Sequence, residues 1–300
     1  MANSTALHPQ LRDVFRGSAA VAAGIVTKAE LQGPRFRRLF QDVYVPAEVP
    51  VTHKLRCRGA ALRVPPDAVL TGRSAATVLG VNLAAPYDPV EFVVPESSRF
   101  GPVAGMRIRR TKIEPDESKP WQNARIARPL RIALDLIFRH APRLHSTVGR
   151  LRMAVPDLDM FLRRNKIKID ALKAECRRRR NWGVRLGRLA LELVDPKTDT
   201  RPKSELRTIM RFGGLRPTPQ LSVHKNGEFL GHANLALEAE KVAVEYDGGL
   251  HDDPARRRHD KKRRQRLGEA GWKFVIVRPE HLATDHRVIL KRIQLARQRA

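Results

Sequence analysis

The stretch VAVEYDGGLH, residues 242–251, ends an apolar run in two carboxylates one residue apart, followed by two glycines and a histidine. Residues two apart on a strand share a face, so Glu245 and Asp247 point one way while Val244 and Tyr246 point the other. Gly248 and Gly249 allow a sharp turn that folds His251 back toward the pair. Two carboxylates at one sheet end repel each other, and a divalent cation or an arginine relieves that repulsion. Such oxygen ligands suit Mg²⁺, which keeps water and substrate phosphate in its shell. The competing reading is that Glu245 and Asp247 pair with nearby cations as structural salt bridges.

Cations are close in sequence. PARRRHDKKRRQRLGEAG (254–271) reads as a basic helix ending at Gly271. Asp260, Arg263 and Leu267 fall on one face of it, with Leu267 toward the sheet. Arg256, Arg257, Lys261 and Arg264 belong to a surface suited to a polyanion. Upstream, RPKSELRTIMRFGG (201–214) reads as a helix capped by Ser204 and stopped by Gly213–Gly214. Three strands follow, with a hairpin turn at Asn226–Gly227 and a second turn at 238–241. WKFVIVR (272–278) is a buried strand, and DHRVILKRIQLARQRA (285–300) an amphipathic helix. The order helix, three strands, helix, strand, helix predicts an α/β domain over 201–300 with a central mixed sheet.

The whole chain is basic. Its 300 residues carry 58 Lys and Arg against 31 Asp and Glu, a formal charge of +27. A field of that sign favours polyanions, nucleic acid above all, although charge does not separate DNA from RNA. A hydrophobic content of 42% implies folded domains rather than disorder. Cys57 and Cys176 lie far apart without metal-ligand spacing, which fits a reducing cytoplasm. No apolar run is long enough for a membrane span, so no membrane partner is expected.

The front of the chain reads as helix (His8 to Phe15), a second helix opened by a Thr27–Glu30 capping box, a basic helix over Pro34–Phe40, then a strand. That order predicts a winged helix-turn-helix over 5–50, with Arg35, Arg37 and Arg38 toward DNA and Val43–Pro46 in the wing. Residues 51–154 read as an α+β domain, with strands at 89–96 and 105–113 and a helix at 128–140. Residues 155–200 read as a charged helical connector, in which Arg177–Arg180 form either a solvated surface or a phosphate contact. The predicted class is thus an α+β N-terminal half joined to an α/β C-terminal domain.

Two resemblances bear on function. EYDGGLH (245–251), Asp260, Arg263, Leu267 and Gly271–Trp272, preceded by the Ser204–Glu205 helix and GLRPTPQ (214–220), resemble the Vsr-like branch of the PD-(D/E)XK nuclease fold. The match spans residues 201–283 and is similar to an uncharacterised bacterial family related to very-short-patch repair endonucleases. The resemblance implies a restriction-endonuclease-like domain with a Mg²⁺-dependent phosphodiester-cleaving centre. On it, Glu245 and Asp247 would hold the metal, His251 would orient water or a phosphate oxygen, and Arg263 would steady the scissile phosphate. Asp260 and Glu205 match further motif positions. One position departs from the pattern. The family usually has an aspartate on the middle strand, where this chain has Asn234 in GHANLALE. An amide oxygen can ligate Mg²⁺ but brings no charge, so metal affinity and rate should fall. Glu238 or Glu240 would have to reach across the turn to replace it.

The first half, in AAGIVTKAEL (22–31), RLFQDVYVPAE (38–48), LTGRSAATVLGV (70–81), FVVPE (92–96) and IARPLRIALDLIF (126–138), resembles the AbiEi-type antitoxin regulators of type IV toxin–antitoxin systems. The resemblance implies promoter DNA binding and a cognate toxin as partner. Two functions follow as expectations: a metal-dependent endonuclease weakened at Asn234, or a non-catalytic DNA-binding regulator that keeps the nuclease fold.

Overall fold

Alternating apolar residues and tight turns, rather than long helices, organise the start of the chain. The computed structural model describes residues 8–140, 146–165, 167–180, 182–248 and 254–298, without the side chains of 254–257. The chain divides into two units, Met1–Leu136 and Ile137–Ala300.

In the first unit a 3-10 turn at Pro9–Leu11 leads to β1 (Phe15–Arg16), α1 (Gly17–Ala22), α2 (Lys28–Gln32), β2 (Phe36–Phe40) and β3 (Val43–Pro46). The strands form one sheet in the order β1–β3–β2. The expected helix from His8 to Phe15 shrinks to the 3-10 turn, and Phe15 enters the sheet opposite Tyr44. The Thr27–Glu30 capping box is present: Glu30 N–H donates to Thr27 Oγ1, and Thr27 N–H donates to the Glu30 carboxylate.

The expected basic helix over Pro34–Phe40 is a strand, and Arg37 and Arg38 lie on it with Arg35 just before it. The reason is the reversal that follows. Asp42 sits at φ 60°, and its carboxylate accepts Ser18 N–H at 2.7 Å and Ser18 Oγ–H at 2.6 Å. This pinned turn delivers the β-branched and aromatic run Val43–Val45 back along residues 36–40, and cross-strand pairing outweighs helix propensity.

The rest of the first unit is α3 (His53–Ala61), β4 (Val69–Leu70), α4 (Gly72–Val78), β5 (Val90–Val94), β6 (Met106–Arg110), β7 (Ser118–Trp121), β8 (Ala124–Ala127) and α5 (Pro129–Phe138), which runs across the boundary between the units. Its sheet has the order β6–β5–β4–β8–β7 and mixes parallel with antiparallel neighbours. Beneath it Asp135 of α5, 1% exposed, accepts Thr71 Oγ1–H at 2.6 Å and Arg131 Nε–H at 2.9 Å, and also pairs with Arg109 of β6. Burial by itself raises a carboxyl pKa; here Arg109, Arg131 and the Thr71 hydroxyl outweigh it and hold Asp135 below the usual range.

The second unit begins with α6 (Thr147–Arg164), α7 (Ile169–Arg178) and α8 (Val184–Leu193), followed by α9 (Arg201–Phe212). The boundary expected at 154 falls inside α6. The helices read as a connector are tied to α9 through buried charge. Asp159 of α6 accepts Arg207 Nη2–H at 2.5 Å, the Ser204 hydroxyl, and Asp195 N–H at 2.8 Å. Ser204 is therefore an interior anchor. It does not cap α9, which starts at Arg201 after Thr200. Burial pushes the Asp159 carboxyl up to about 6, although Arg207, Ser204 and the Asp195 amide pull the other way.

Then come β9 (Thr218–Lys225), β10 (Glu228–Leu237), β11 (Val242–Tyr246), α10 (Pro254–Glu269), β12 (Lys273–Val277), α11 (Pro279–Ala283) and α12 (His286–Gln298). The sheet order is β12–β11–β10–β9, with β11 and β12 parallel and the other neighbours antiparallel. The expected turns at Asn226–Gly227 and 238–241 are where the sequence puts them, with Asn226, Gly227 and Lys241 at positive φ. On one face of the sheet Leu235, Leu237, Val242, Val244, Val275 and Val277 pack with residues of α9 and α12. Leu267 of α10 packs with Val223 and Leu230 on the other. Among the described residues no helix is long and apolar enough to cross a membrane.

Candidate functional site

Strand alternation sends Val244 into the apolar layer under α9 and turns Glu245 toward α10. Glu245 is 1% exposed, a burial that a carboxylate tolerates only when charge and hydrogen bonds compensate. Both its oxygens are engaged by that helix. Arg263 Nη1–H donates to Oε1 at 2.5 Å and Nη2–H to Oε2 at 3.0 Å, a two-pronged guanidinium–carboxylate contact. Arg264 Nε–H adds a third bond to Oε2 at 2.9 Å.

Arg263 is held in turn. Its Nη1 also donates to the His232 carbonyl at 2.8 Å, and its Nε lies 3.4 Å from Asp260 Oδ1. Burial tends to lower its pKa, but the Glu245 bonds and charge, with Asp260, raise it, so the cation is locked in. Gly231 makes room for it. A Cβ there would lie 2.7 Å from Arg263 Cγ, and the backbone stands at φ 149°, beside a register shift between Phe229 and Gly231.

The expected neighbours of Glu245 are only partly assembled. Asp247 follows the strand end. Its N–H donates to the Val277 carbonyl at 2.9 Å, and its carboxylate, 42% exposed, is 4.0 Å from Arg264 Nη2. One step beyond the last ladder pair, Leu235 with Val244, the register sets Asn234 across from Glu245. Asp260 is close to Arg263 but not bonded to Glu245. Glu205 is elsewhere: it sits on α9, which packs on the opposite face, and accepts Arg152 Nε–H at 3.0 Å and Nη2–H at 2.8 Å. It lies close enough to Tyr246 to help raise that phenol, after burial as the larger cause and alongside Glu280 and Asp247. Glu238 accepts the Thr218 hydroxyl and Glu240 pairs with Arg297, so both have their own partners at the 238–241 turn. His251 lies outside the described residues, as do the side chains of Arg256 and Arg257 on α10. Lys261 is exposed on the outer surface of that helix, with Arg258, Lys262 and Arg266; Arg264, expected to face DNA, is drawn inward onto Glu245.

The donor set tests the implied Mg²⁺ directly. An octahedral Mg²⁺ requires anionic oxygens with open lone pairs. Here the buried carboxylate gives both oxygens to guanidinium groups, the facing residue is a neutral amide, and the remaining carboxylate, Asp247, stands at the exposed rim beside Arg264. Among the described residues no group of three His, Cys, Asp or Glu side chains is placed to hold a metal. Among the described residues, then, the donor set does not fit the ion; residues 249–253, His251 among them, lie outside that set.

In the first unit the expected DNA-facing arginines are on a strand or beside it. Arg35 is 3.6 Å from Glu30, Arg37 donates to the Ala47 carbonyl at 3.2 Å, and Arg38 is exposed. The residues that sequence reasoning missed at the Glu245 site are Gly231 and the inward role of Arg264. The only available signal for Gly231 was a glycine inside a strand pattern, which marks a bulge or a close approach.

No family model matches the chain. Two proteins of Mycobacterium tuberculosis, "Uncharacterized protein MT2308" of strain CDC 1551 / Oshkosh and "Uncharacterized protein Rv2248" of strain ATCC 25618 / H37Rv, are each 29% identical to it over 177 residues. That similarity covers 57% of this chain and 57% of each relative, so the chain spans little more than half the length of the proteins it matches.

Proposed function

We propose that the protein binds DNA, and that its second unit uses a nuclease-type fold as a cationic binding platform rather than as a metal-dependent cleavage centre. The observation that carries this reading is the Arg263–Glu245–Arg264 contact, which engages the one buried carboxylate on β11 where a metal ligand would be needed. Asn234 across the sheet points the same way. The net charge of +27 and the exposed cations Arg258, Lys261, Lys262 and Arg266 on α10 support a polyanionic partner.

The element order of each unit is in keeping with this proposal. Helix, three strands, helix, strand, with the sheet order β12–β11–β10–β9, accords with the restriction-endonuclease-like fold that the sequence resembles. The order 3-10 turn, β1, α1, α2, β2, β3 accords with a winged helix in which α2 takes the recognition position. Lys28 of α2 would then face the groove, and the β2–β3 hairpin with Arg37 and Arg38 would be the wing. A regulator of this kind, acting as an antitoxin with a cognate toxin, is the role the first-half resemblance implies.

The second reading is a Mg²⁺-dependent endonuclease of reduced activity, favoured by the half-exposed Asp247 at the strand end. One experiment separates the two. Supercoiled plasmid is incubated with Mg²⁺ or Mn²⁺ and the wild-type protein, Glu245→Gln or Asn234→Asp, while binding of a labelled duplex is followed by anisotropy in a salt series. The proposal expects salt-sensitive duplex binding and no nicking by the wild type. Wild-type nicking that disappears in Glu245→Gln would establish the endonuclease instead.

A further inference from the structure

The β9–β10 hairpin carries a group of rings that the Glu245 contact does not use. Its register pairs Phe229 with His224, skips Leu230, then pairs Gly231 with Val223 and His232 with Ser222. Leu230 is thus the extra residue of a bulge. Without it Phe229 and His232, three apart, would lie on opposite faces of the strand; the bulge brings them to the same one. Val223 and Leu230 pack with Leu267, and a Cβ at Gly231 would meet Arg263, so Val223 and Gly231 face α10. Ser222, His224, Phe229 and His232 face away from it. There the Phe229 ring stands 5.5 Å from the His224 imidazole and 4.9 Å from that of His232, tilted by 56° and 60°. Ser222 Oγ lies 3.2 Å from His232 Nδ1 and fixes that imidazole. All four residues are exposed, Phe229 to 46%. Lys225 follows His224 at the end of β9, the outermost strand of the sheet, and its Nζ donates to the neutral Glu269 carbonyl at 3.2 Å, which leaves its charge in place.

A phenylalanine left half in water forgoes much of its burial free energy. Its neighbours on this face are imidazoles and a hydroxyl rather than aliphatic groups, which gives a protein partner little apolar area to cover. The same neighbours suit a nucleobase. A base face stacks on an aromatic ring, histidine included, while ring nitrogens and a hydroxyl meet its polar edges. Paired bases keep their faces inside the duplex, so rings on an exposed sheet serve unpaired ones. The net charge of +27 draws the backbone of the strand to the protein. We infer that the outer face of the β9–β10 hairpin is a single-stranded nucleic-acid site, with bases stacked on Phe229 and its flanking His224 and His232 rings, and a phosphate at Lys225 around the edge of β9. This inference rests on the polyanion-binding reading, and it adds a ligand form that neither the front unit nor α10 accounts for.

The test uses the full chain and the variants F229A, F229L, F229Y and L295A, with circular dichroism to check that each is folded. Leu295 of α12 is another exposed apolar side chain and serves as the control. Labelled oligothymidylate, oligouridylate and a duplex of equal length are titrated by anisotropy. Strands carrying 5-iodouracil are photo-crosslinked, and the adducts are mapped by mass spectrometry. Single-strand affinity should fall about ten-fold in F229A, the scale of one lost base stack, and as far in F229L, which keeps apolar bulk without an aromatic face. F229Y and L295A should match the wild type, and duplex affinity should stay unchanged throughout. Crosslinks should fall within residues 222–232 for single strands and not for the duplex. The two oligonucleotides decide between DNA and RNA as the natural strand. Duplex binding with no F229A effect on single strands overturns this inference and leaves the proposed function standing; absence of all nucleic-acid binding overturns both. Full affinity in F229L, or equal losses for duplex and single strand in F229A, would also overturn the stacking role.

Discussion

Asp135 in the first unit and Glu245 in the second are each 1% exposed, and each lies between two arginines. Their surroundings differ. Around Asp135 the inner guanidinium, Arg131, is itself buried and donates to Glu117 at 2.5 Å, and the Thr71 hydroxyl fills a remaining lone pair. Around Glu245 the outer guanidinium is no more exposed, 32% for Arg264 against 33% for Arg109, but a second carboxylate, Asp247, stands at the rim and α10 continues into exposed lysines and arginines. One arrangement ties β6, α5 and the Thr71 segment together within its unit. The other holds a helix in place while presenting that helix's charge outward. A buried carboxylate is therefore not by itself a sign of catalysis; what surrounds its cations is what distinguishes the two sites.

The comparison can be broken most forcefully at Asp135. Asp135→Ala strands two guanidinium groups and a hydroxyl in the first unit and should destabilise it by about 4 kcal/mol, the scale for removing one partner of a buried ion pair. Thermal unfolding with hydrogen exchange resolved by unit checks both the size and the place. Glu245→Ala should cost about 3 kcal/mol on the same basis, less because no buried hydroxyl is stranded along with its two guanidinium groups. Its hydrogen-exchange signature should be loosening of α10, and an effect confined to the first unit would contradict the assignment. Gly231→Ala should cost about 2 kcal/mol, since it combines a backbone conformation unsuited to an L side chain with a close approach to Arg263; a neutral result in urea denaturation would show that Arg263 is not pinned there.

The smallest effects are in pH dependence, and they separate two carboxylates by sign. Asp135 has a lowered pKa when folded, so its contribution is present above the unfolded value near 3.8 and is lost as pH falls through the folded value. Asp159 is raised to about 6, so its contribution is largest below the unfolded pKa and declines as pH rises toward 6 and through it. Urea midpoints measured across this range should show Asp159→Asn flattening the decline between roughly pH 4 and pH 6, and Asp135→Asn flattening the acid limb. The reverse pattern would mean that the two networks have been assigned the wrong electrostatic balance.

Legibility differed between elements for physical reasons. Local signals with one solution were readable: the Thr27–Glu30 box, the Asn226–Gly227 turn and the strand alternation at 242–246 all lie where chain chemistry places them. FRRLF was not readable, because two phenylalanines four apart suit one helix face as well as the observed strand, and the pinned Asp42 turn decided it. Ser204 looked like a cap because the acceptor it needs, Asp159, is 45 residues away in sequence.

By itself the amino-acid sequence determined a strongly basic chain, the mixed α/β character of its parts and the face on which Glu245 lies, since charge count and side-chain alternation are properties of neighbouring residues. Only the tertiary structure decided what Glu245 meets. The choice between a metal ion and two guanidinium groups depends on how close α10 comes to β11, and that distance is set by Gly231, Leu267 and the strand between them, through packing that no local pattern encodes.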